Sequence, residues 1–335
     1  MMRKAPLIAV AAGCAALLAG ARATAQDPAT QAPSPPDLPD GVSALGPVVA
    51  ERSDRYRLES AIVGEPFVID VTRVDAPFSP PAADARLPVV FVTDGNLLSM
   101  LALGVAQVGA MELLPSMILV GIGHDLAAAE SPAEAFVLAA ARRATDFTPI
   151  FDEAYLAAVV PFTEQVLGQT WPEDAPLGGA NTFLDFIERE LKPFIAARYP
   201  ANVEDTTLLG HSLGGLFTLH VLFTAPRSFA RYVALSPAAN YGDEVLFREE
   251  AALGDVSARL FIGVASEDSP EILASAPRLH AAIEARARPG LRYGYQLFQG
   301  ETHSSILPGG LLRGLRAVFD PPPPPAFGPS VDAQP

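Results

Sequence analysis

Apolar positions along this chain fall into short unbroken runs, and stretches with helical spacing separate them. Leu87-Pro88-Val89-Val90-Phe91-Val92 and Met117-Ile118-Leu119-Val120-Gly121-Ile122 are continuous runs, the pattern of strands buried on both faces. Before them, Arg55 to Leu58 and Pro66 to Thr72 read as antiparallel strands, the second alternating Phe67, Ile69 and Val71. Further runs predict strands at Thr206 to Leu209, Arg231 to Leu235 and Ala258 to Val264, and the alternation from Arg292 to Phe298 predicts the last one. Helical spacing predicts helices over Asn96–Val108, Phe183–Tyr199, Leu213–Phe223, Glu271–Ala287 and Leu307–Phe319. Strands alternating with helices imply an α/β fold: a mostly parallel central sheet with helices on both faces.

Residues 124–179 break this rhythm. They form a long insertion after the Met117–Ile122 run, with helix-like patterns over Pro132–Arg142 and Tyr155–Val166. The insertion follows a strand's carboxyl end, where open α/β sheets bind ligands. It is therefore expected to act as a lid or pocket wall, with a packed surface excursion as the alternative.

The pattern changes again at both ends. Met1-Met2-Arg3-Lys4 is basic, Ala5 to Gly20 is apolar, and Ala23-Thr24-Ala25 offers a small-x-small cleavage site before Gln26. Residues 1–25 thus read as a secretory signal peptide, and the protein as periplasmic or secreted. Cys14, the only cysteine, opens the alternative of a lipoprotein, but Ala11 fits such a site poorly and apolar residues continue past Cys14. Residues 26–40 read as a Pro-rich linker, 41–320 as the folded domain and 321–335 as an unpacked Pro-rich tail.

Of the 335 residues, 50% are hydrophobic, enough for one core of this size. The formal net charge is −15; without Arg3, Lys4 and Arg22 it is −18, from 20 basic against 38 acidic residues. Such a surface repels nucleic acid, and no basic patch argues otherwise. Outside the leader, no stretch is apolar enough to predict a transmembrane helix. No His/Cys cluster has metal-ligand spacing, and no dinucleotide or phosphate-loop fingerprint is complete, so neither metal nor cofactor is expected. Oligomeric state is not legible.

The candidate chemistry lies in Gly210-His211-Ser212-Leu213-Gly214, between an apolar strand and a helix. Gly-x-Ser-x-Gly in that context is the nucleophile elbow of α/β-hydrolases. Glycines at both flanks let strand and helix pass closely around a strained serine. The base must come from downstream. His220 lies within the elbow helix and His280 within an amphipathic helix, whereas His303 sits in a polar loop, Gly300-Glu301-Thr302-His303-Ser304-Ser305, after the last strand. His303 is the expected general base. The acid should follow the Ala258–Val264 strand, where Ser266-Glu267-Asp268 offers two carboxylates. Glu267 is favoured for its reach, with Asp268, or a Ser–His dyad, as the alternatives. The oxyanion hole is expected from the N–H groups of Leu213 and Asn96, the latter in Asp94-Gly95-Asn96 after the Leu87–Val92 strand.

With these residues in place, the chain resembles the putative-esterase family of α/β-hydrolases, most of all its enterobactin and salmochelin (siderophore) esterase branch. The similarity runs from about Leu87 to Phe319. It is carried by Val92-Thr93-Asp94-Gly95, Val120-Gly121-Ile122-Gly123, Arg143-x-x-Asp146-x-Thr148-Pro149, Gly178-Gly179-Ala180-x-x-Phe183, the elbow, and Glu301-Thr302-His303. The resemblance implies hydrolysis of a small-molecule carboxylic ester by Ser212 and His303, with a glutamate at 267 as the usual acid. An acyltransferase and a catalytically inactive binding protein are the rival readings. Arg143 is expected either to bind an anionic substrate group or, preferably, to pair with Asp146. Where the family commonly has paired aromatics beside the substrate, this chain has Ala238-Ala239-Asn240-Tyr241. Tyr241 is the one aromatic left to line the site, which argues against a large catecholate.

Overall fold

Eight strands form one sheet in the order β1-β2-β4-β3-β5-β6-β7-β8. The computed structural model describes residues 50–172 and 175–320; the predicted signal peptide, the linker up to residue 40 and the 321–335 tail lie outside them. Strands β1 (Ser53–Glu59) and β2 (Pro66–Val74) are antiparallel to each other, and β2 is antiparallel to β4 (Met117–His124). From β4 onward every pair is parallel: β3 (Leu87–Val92), β5 (Ala201–His211), β6 (Arg231–Leu235), β7 (Ala258–Glu267) and β8 (Leu291–Thr302). This is the α/β-hydrolase fold.

Helices cover both faces because the central strands are buried on both. One core layer includes Phe91, Val120, Phe183 and Phe217. The other includes Val90, Leu119, Leu209 and Val233, covered by α1 (Gly95–Ala110) and the final helix α9 (Ile306–Val318). Helix α6 (Leu213–Thr224) follows β5 directly and is buried from residue 213 to 223.

The stretch after β4 contains α2 (Pro132–Phe147) and α3 (Glu153–Phe162), with α3 running on into a π turn, Thr163–Leu167. Ser131 caps α2, accepting the Glu134 N–H, and Pro132 occupies the first turn, where a missing N–H costs nothing. The two helices share a small core of their own, with Phe136, Val137, Val159, Phe162 and Trp171 buried together. Next come α4 (Ala180–Phe186) and α5 (Lys192–Arg198), joined by a π turn, Ile187–Leu191. Pro193 accounts for that turn: it has no N–H to donate and its ring crowds the carbonyl four residues back, so the ladder widens there.

Six strands run past their predicted ends, β1 to Glu59, β2 to Val74, β4 to His124, β5 to His211, β7 to Glu267 and β8 to Thr302; three of them, β4, β7 and β8, matter for the site. One helix, α7 (Tyr241–Ala252), was not predicted. It begins with left-handed residues at Gly242, Asp243 and Glu244, and its charged sequence buries only a few positions, Val245 and Leu246 among them. The remaining helix, α8 (Pro270–Arg286), packs beside β7.

Candidate active site

Ser212 stands between β5 and α6 with φ 60° and ψ −118°. An L-residue avoids that conformation unless its surroundings enforce it. Here the enforcement is steric. A Cβ on Gly210 would lie 2.1 Å from the Gly214 carbonyl oxygen, and one on Gly214 would lie 2.3 Å from Thr93 Oγ1. Only hydrogens fit at either place. The Ser212 N–H donates to the Leu235 carbonyl on β6, and its own carbonyl accepts from Leu216 and Ala238. The serine is 1% exposed yet lines a cleft at the carboxyl edge of the sheet.

His303 follows β8 and is buried beside the elbow. Its ring centroid lies 4.4 Å from that of His211, the neighbour of Ser212. The His211 Nε2–H donates to the His303 carbonyl at 2.7 Å, which ties the loop after β8 to the elbow. Burial holds the His211 imidazole well below its ordinary pKa, and the proximity of His303 and Arg143 acts in the same direction.

The His303 Nδ1–H donates to Asp268 Oδ1 at 2.8 Å. The sequence reading favoured Glu267 for this place; the carboxylate that touches His303 is Asp268. Strand β7 does not stop at Val264: Glu267 still pairs with Thr302 of β8, across a register shift after Ala265. Glu267 is therefore the last strand residue and is exposed, while the next residue turns to the opposite side. The Asp268 side chain is fully buried. Its Oδ1 also accepts the Ser269 N–H at 2.8 Å, just before the first turn of α8, where the helix end favours a negative charge. At the far side of the imidazole, His303 Nε2 is buried without a hydrogen-bond partner among the described residues.

The turn after β3 brings the other predicted residues to the same cleft. Asp94 is left-handed, with φ 57°, and its carbonyl accepts from Leu97 and Leu98. The N–H of Asn96 belongs to the first turn of α1, which has no intrahelical acceptors. Leu213 is likewise the first residue of α6, and both residues line the cleft. The Asn96 side chain clamps β4, donating to the His124 carbonyl at 2.9 Å and accepting the His124 N–H at 2.7 Å. That contact explains Gly121-Ile122-Gly123. A Cβ on Gly123 would meet the Asn96 side chain and N–H at 2.8 to 3.0 Å, and one on Gly121 would overlap Ser99.

Arg143 and Asp146 are not partners. Arg143 reaches back to the β3 turn and grips Asp94 through two hydrogen bonds, from Nε to Oδ1 and from Nη2 to Oδ2, the second at 3.1 Å. Asp146 faces β4, where its Oδ2 accepts from His124 Nε2 at 3.0 Å. Both members of that second His–carboxylate pair are buried, and His124 lines the cleft. The sequence reading did not consider His124; its place directly after Gly121-Ile122-Gly123, at a strand's carboxyl end, was the available signal. Tyr241 also lines the cleft, and its hydroxyl donates to the Ile150 carbonyl at 3.0 Å. His220 lies elsewhere, bonded to Glu249 and Asn181, and His280 stacks on Tyr295.

Residues 138–293 match the putative-esterase family. Over 310 residues the chain is 28% identical to the siderophore triacetylfusarinine C esterase of Aspergillus fumigatus, covering 82% of this chain and 95% of that protein. It is 29% identical over 262 residues to the ferri-bacillibactin esterase BesA of Bacillus subtilis, covering 74% and 84%. The crystal structure of the BES protein from Bacillus cereus superposes with a TM-score of 0.68 at 24% identity, covering 83% of this chain and 99% of that one. Among the described residues, no helix is long and apolar enough to cross a membrane.

Proposed function

We propose that this chain, whose residues 138–293 match the putative-esterase family and which is similar to siderophore esterases, works as a secreted serine esterase through an acyl-enzyme, with Ser212, His303 and Asp268 as its triad. The observation that carries this reading is the state of His303: one ring nitrogen is held by a buried carboxylate and the other is buried with no partner among the described residues. That is the arrangement of a base oriented to take a proton.

Ser212 Oγ attacks the ester carbonyl carbon as His303 Nε2 removes the hydroxyl proton. The carbonyl π electrons move to oxygen, and the N–H groups of Leu213 and Asn96 receive that charge. Collapse of the tetrahedral intermediate breaks the bond to the alcohol, which leaves with the proton from His303. Water then repeats the sequence on the acyl-enzyme and releases the acid. Asp268 keeps the Nδ1–H tautomer and stabilises the imidazolium formed in each half-reaction. Arg143 and Asp94 hold the oxyanion turn against α2.

Two experiments test the reading. A fluorophosphonate should label the wild type at Ser212 and leave Ser212→Ala unlabelled. Turnover in that variant should fall on the order of a million-fold, as expected when a triad acts as a unit. Near-wild-type turnover in folded Ser212→Ala removes the serine mechanism. For export, the intact mass of protein recovered from an exporting host should begin at Gln26. A retained leader refutes secretion by this route, and a diacylglycerol adduct on Cys14 replaces it with a lipid anchor.

A further inference from the structure

The cleft over Ser212 has an outer wall made by two helical stripes. Helix α2 contributes Phe136, Ala139, Ala140 and Arg143; α3 contributes Tyr155, Ala158, Val159 and Phe162. Each set falls at i, i+3, i+4 and i+7, so each helix turns one continuous face to the cleft. Phe136, Val159 and Phe162 are also joined in the core shared by the two helices, which fixes the wall in place. Between these larger groups the alanines leave the stripes shallow.

Apart from Asn240, most polar side chains at the same cleft are already engaged inside the protein. Arg143 is held by Asp94 through its Nε and Nη2. His124 donates to Asp146, and the Asn96 side chain both donates to and accepts from the His124 backbone. Tyr241 donates to Ile150, and Thr163 to Val160. A catechol or a charged acyl group entering here would give up hydration among side chains that mostly have partners within the protein, which is costly in a buried site. An aliphatic chain loses nothing and gains by leaving water.

Resting on the esterase reading above, we propose that the substrate is an uncharged ester carrying an extended aliphatic chain of about eight carbons, lodged between the α2 and α3 stripes. The stripe length sets this size: i to i+7 spans about 10 Å along a helix, roughly the reach of such a chain. The chemistry is the same whether the chain belongs to the acyl or the alcohol part, so the experiment carries one arm for each.

The first arm measures kcat/KM for p-nitrophenyl acetate, butyrate and octanoate; the second uses ethyl, butyl and octyl acetate. In the arm that matches, kcat/KM should climb roughly two- to fourfold per methylene, so roughly a hundredfold between butyrate or butyl and the eight-carbon ester. In Ala158→Leu and in Ala140→Leu, the ratio of eight-carbon to two-carbon turnover should fall at least tenfold, because the added methyls occupy the slot. If a variant does not fold, the wild-type series still decides. A flat or falling profile in both arms, with acetate turned over and Ser212 labelled by fluorophosphonate, overturns the chain-length proposal and leaves the esterase reading standing. A p-nitrophenyl 2,3-dihydroxybenzoate turned over tenfold better than the octanoate also overturns it. Absence of both turnover and labelling defeats the esterase reading, and the chain-length proposal with it.

Discussion

Replacing Asp268 by asparagine separates the carboxylate that touches His303 from the one beside it in sequence. The Asp268 side chain is fully buried and its Oδ1 lies 2.8 Å from His303 Nδ1. When His303 becomes an imidazolium, that carboxylate is its nearest negative charge. With charge centres about 4 Å apart and an effective dielectric of about 20, the attraction is about 4 kcal/mol. At about 1.4 kcal/mol per decade, its loss lowers turnover about a thousandfold. The amide adds a second cost. If its oxygen keeps the contacts to His303 and Ser269, its NH₂ is buried where Oδ2 now has no partner. If it flips, it presents donors to Nδ1 and favours the wrong tautomer. The expected loss for Asp268→Asn is therefore about 10³–10⁴ in kcat, the upper end matching what a triad acid costs when replaced by its amide.

Glu267→Gln should change kcat by no more than about threefold, since an exposed side chain at the end of β7 points away from the imidazole. Both variants are assayed on p-nitrophenyl acetate, with thermal melting to show that they are folded. Equal losses from the two, or a larger loss from Glu267→Gln, would refute the assignment of Asp268. A folded Asp268→Asn within tenfold of wild type would mean that His303 needs no carboxylate.

Two further outcomes follow from buried charges. His211 is held neutral by burial, with its pKa depressed, so the unfolded chain binds a proton below about pH 6.5 that the folded chain does not. Stability should then be full above that pH and fall as pH drops towards 5, by up to about 1.4 kcal/mol per pH unit, with His211→Gln flattening this part of the urea-unfolding profile; an unchanged slope in the variant assigns the loss elsewhere. Arg143→Met leaves the Asp94 carboxylate, 7% exposed, without its cation and should cost about 3–5 kcal/mol in urea unfolding, much of it restored when Asp94→Asn is added; a cost below about 1 kcal/mol would show that the pair holds nothing in place.

The sheet was legible where burial writes a continuous signal. Strands β3 and β4 are unbroken apolar runs, and β2 alternates as a strand with one dominant buried face should. The strand ends were not legible, because the last residues of β4, β7 and β8 are polar and stay in the ladder through backbone bonds that carry no side-chain pattern. Helix α7 escaped for a related reason. Its first residues are left-handed and charged, and a short helix that buries few positions has little periodicity to read.

The site divides along the same line. The elbow is local: its strain, glycines and helix start lie within five residues, so steric necessity alone marks Ser212 in the sequence. The remaining groups arrive from separate strand ends, and what each can touch depends on register. Glu267 and Asp268 illustrate this most sharply, because a strand that runs three residues further than its apolar part puts the second carboxylate, not the first, beyond the ladder and under His303. Arg143 and Asp146 show the complementary failure. Three residues apart on one helix they qualify as a pair, yet α2 lies between two neighbours that each offer something better. Arg143 finds a fork-matched carboxylate on the β3 turn, and Asp146 finds an imidazole at the end of β4. Both alternatives are long-range, and both bring a buried group a partner that local pairing would have left without one. A local pairing rule could have prevailed only if Asp94 and His124 had been satisfied elsewhere, and the close approach of α1 to β4, permitted by Gly95, Gly121 and Gly123, places both of them under α2 instead.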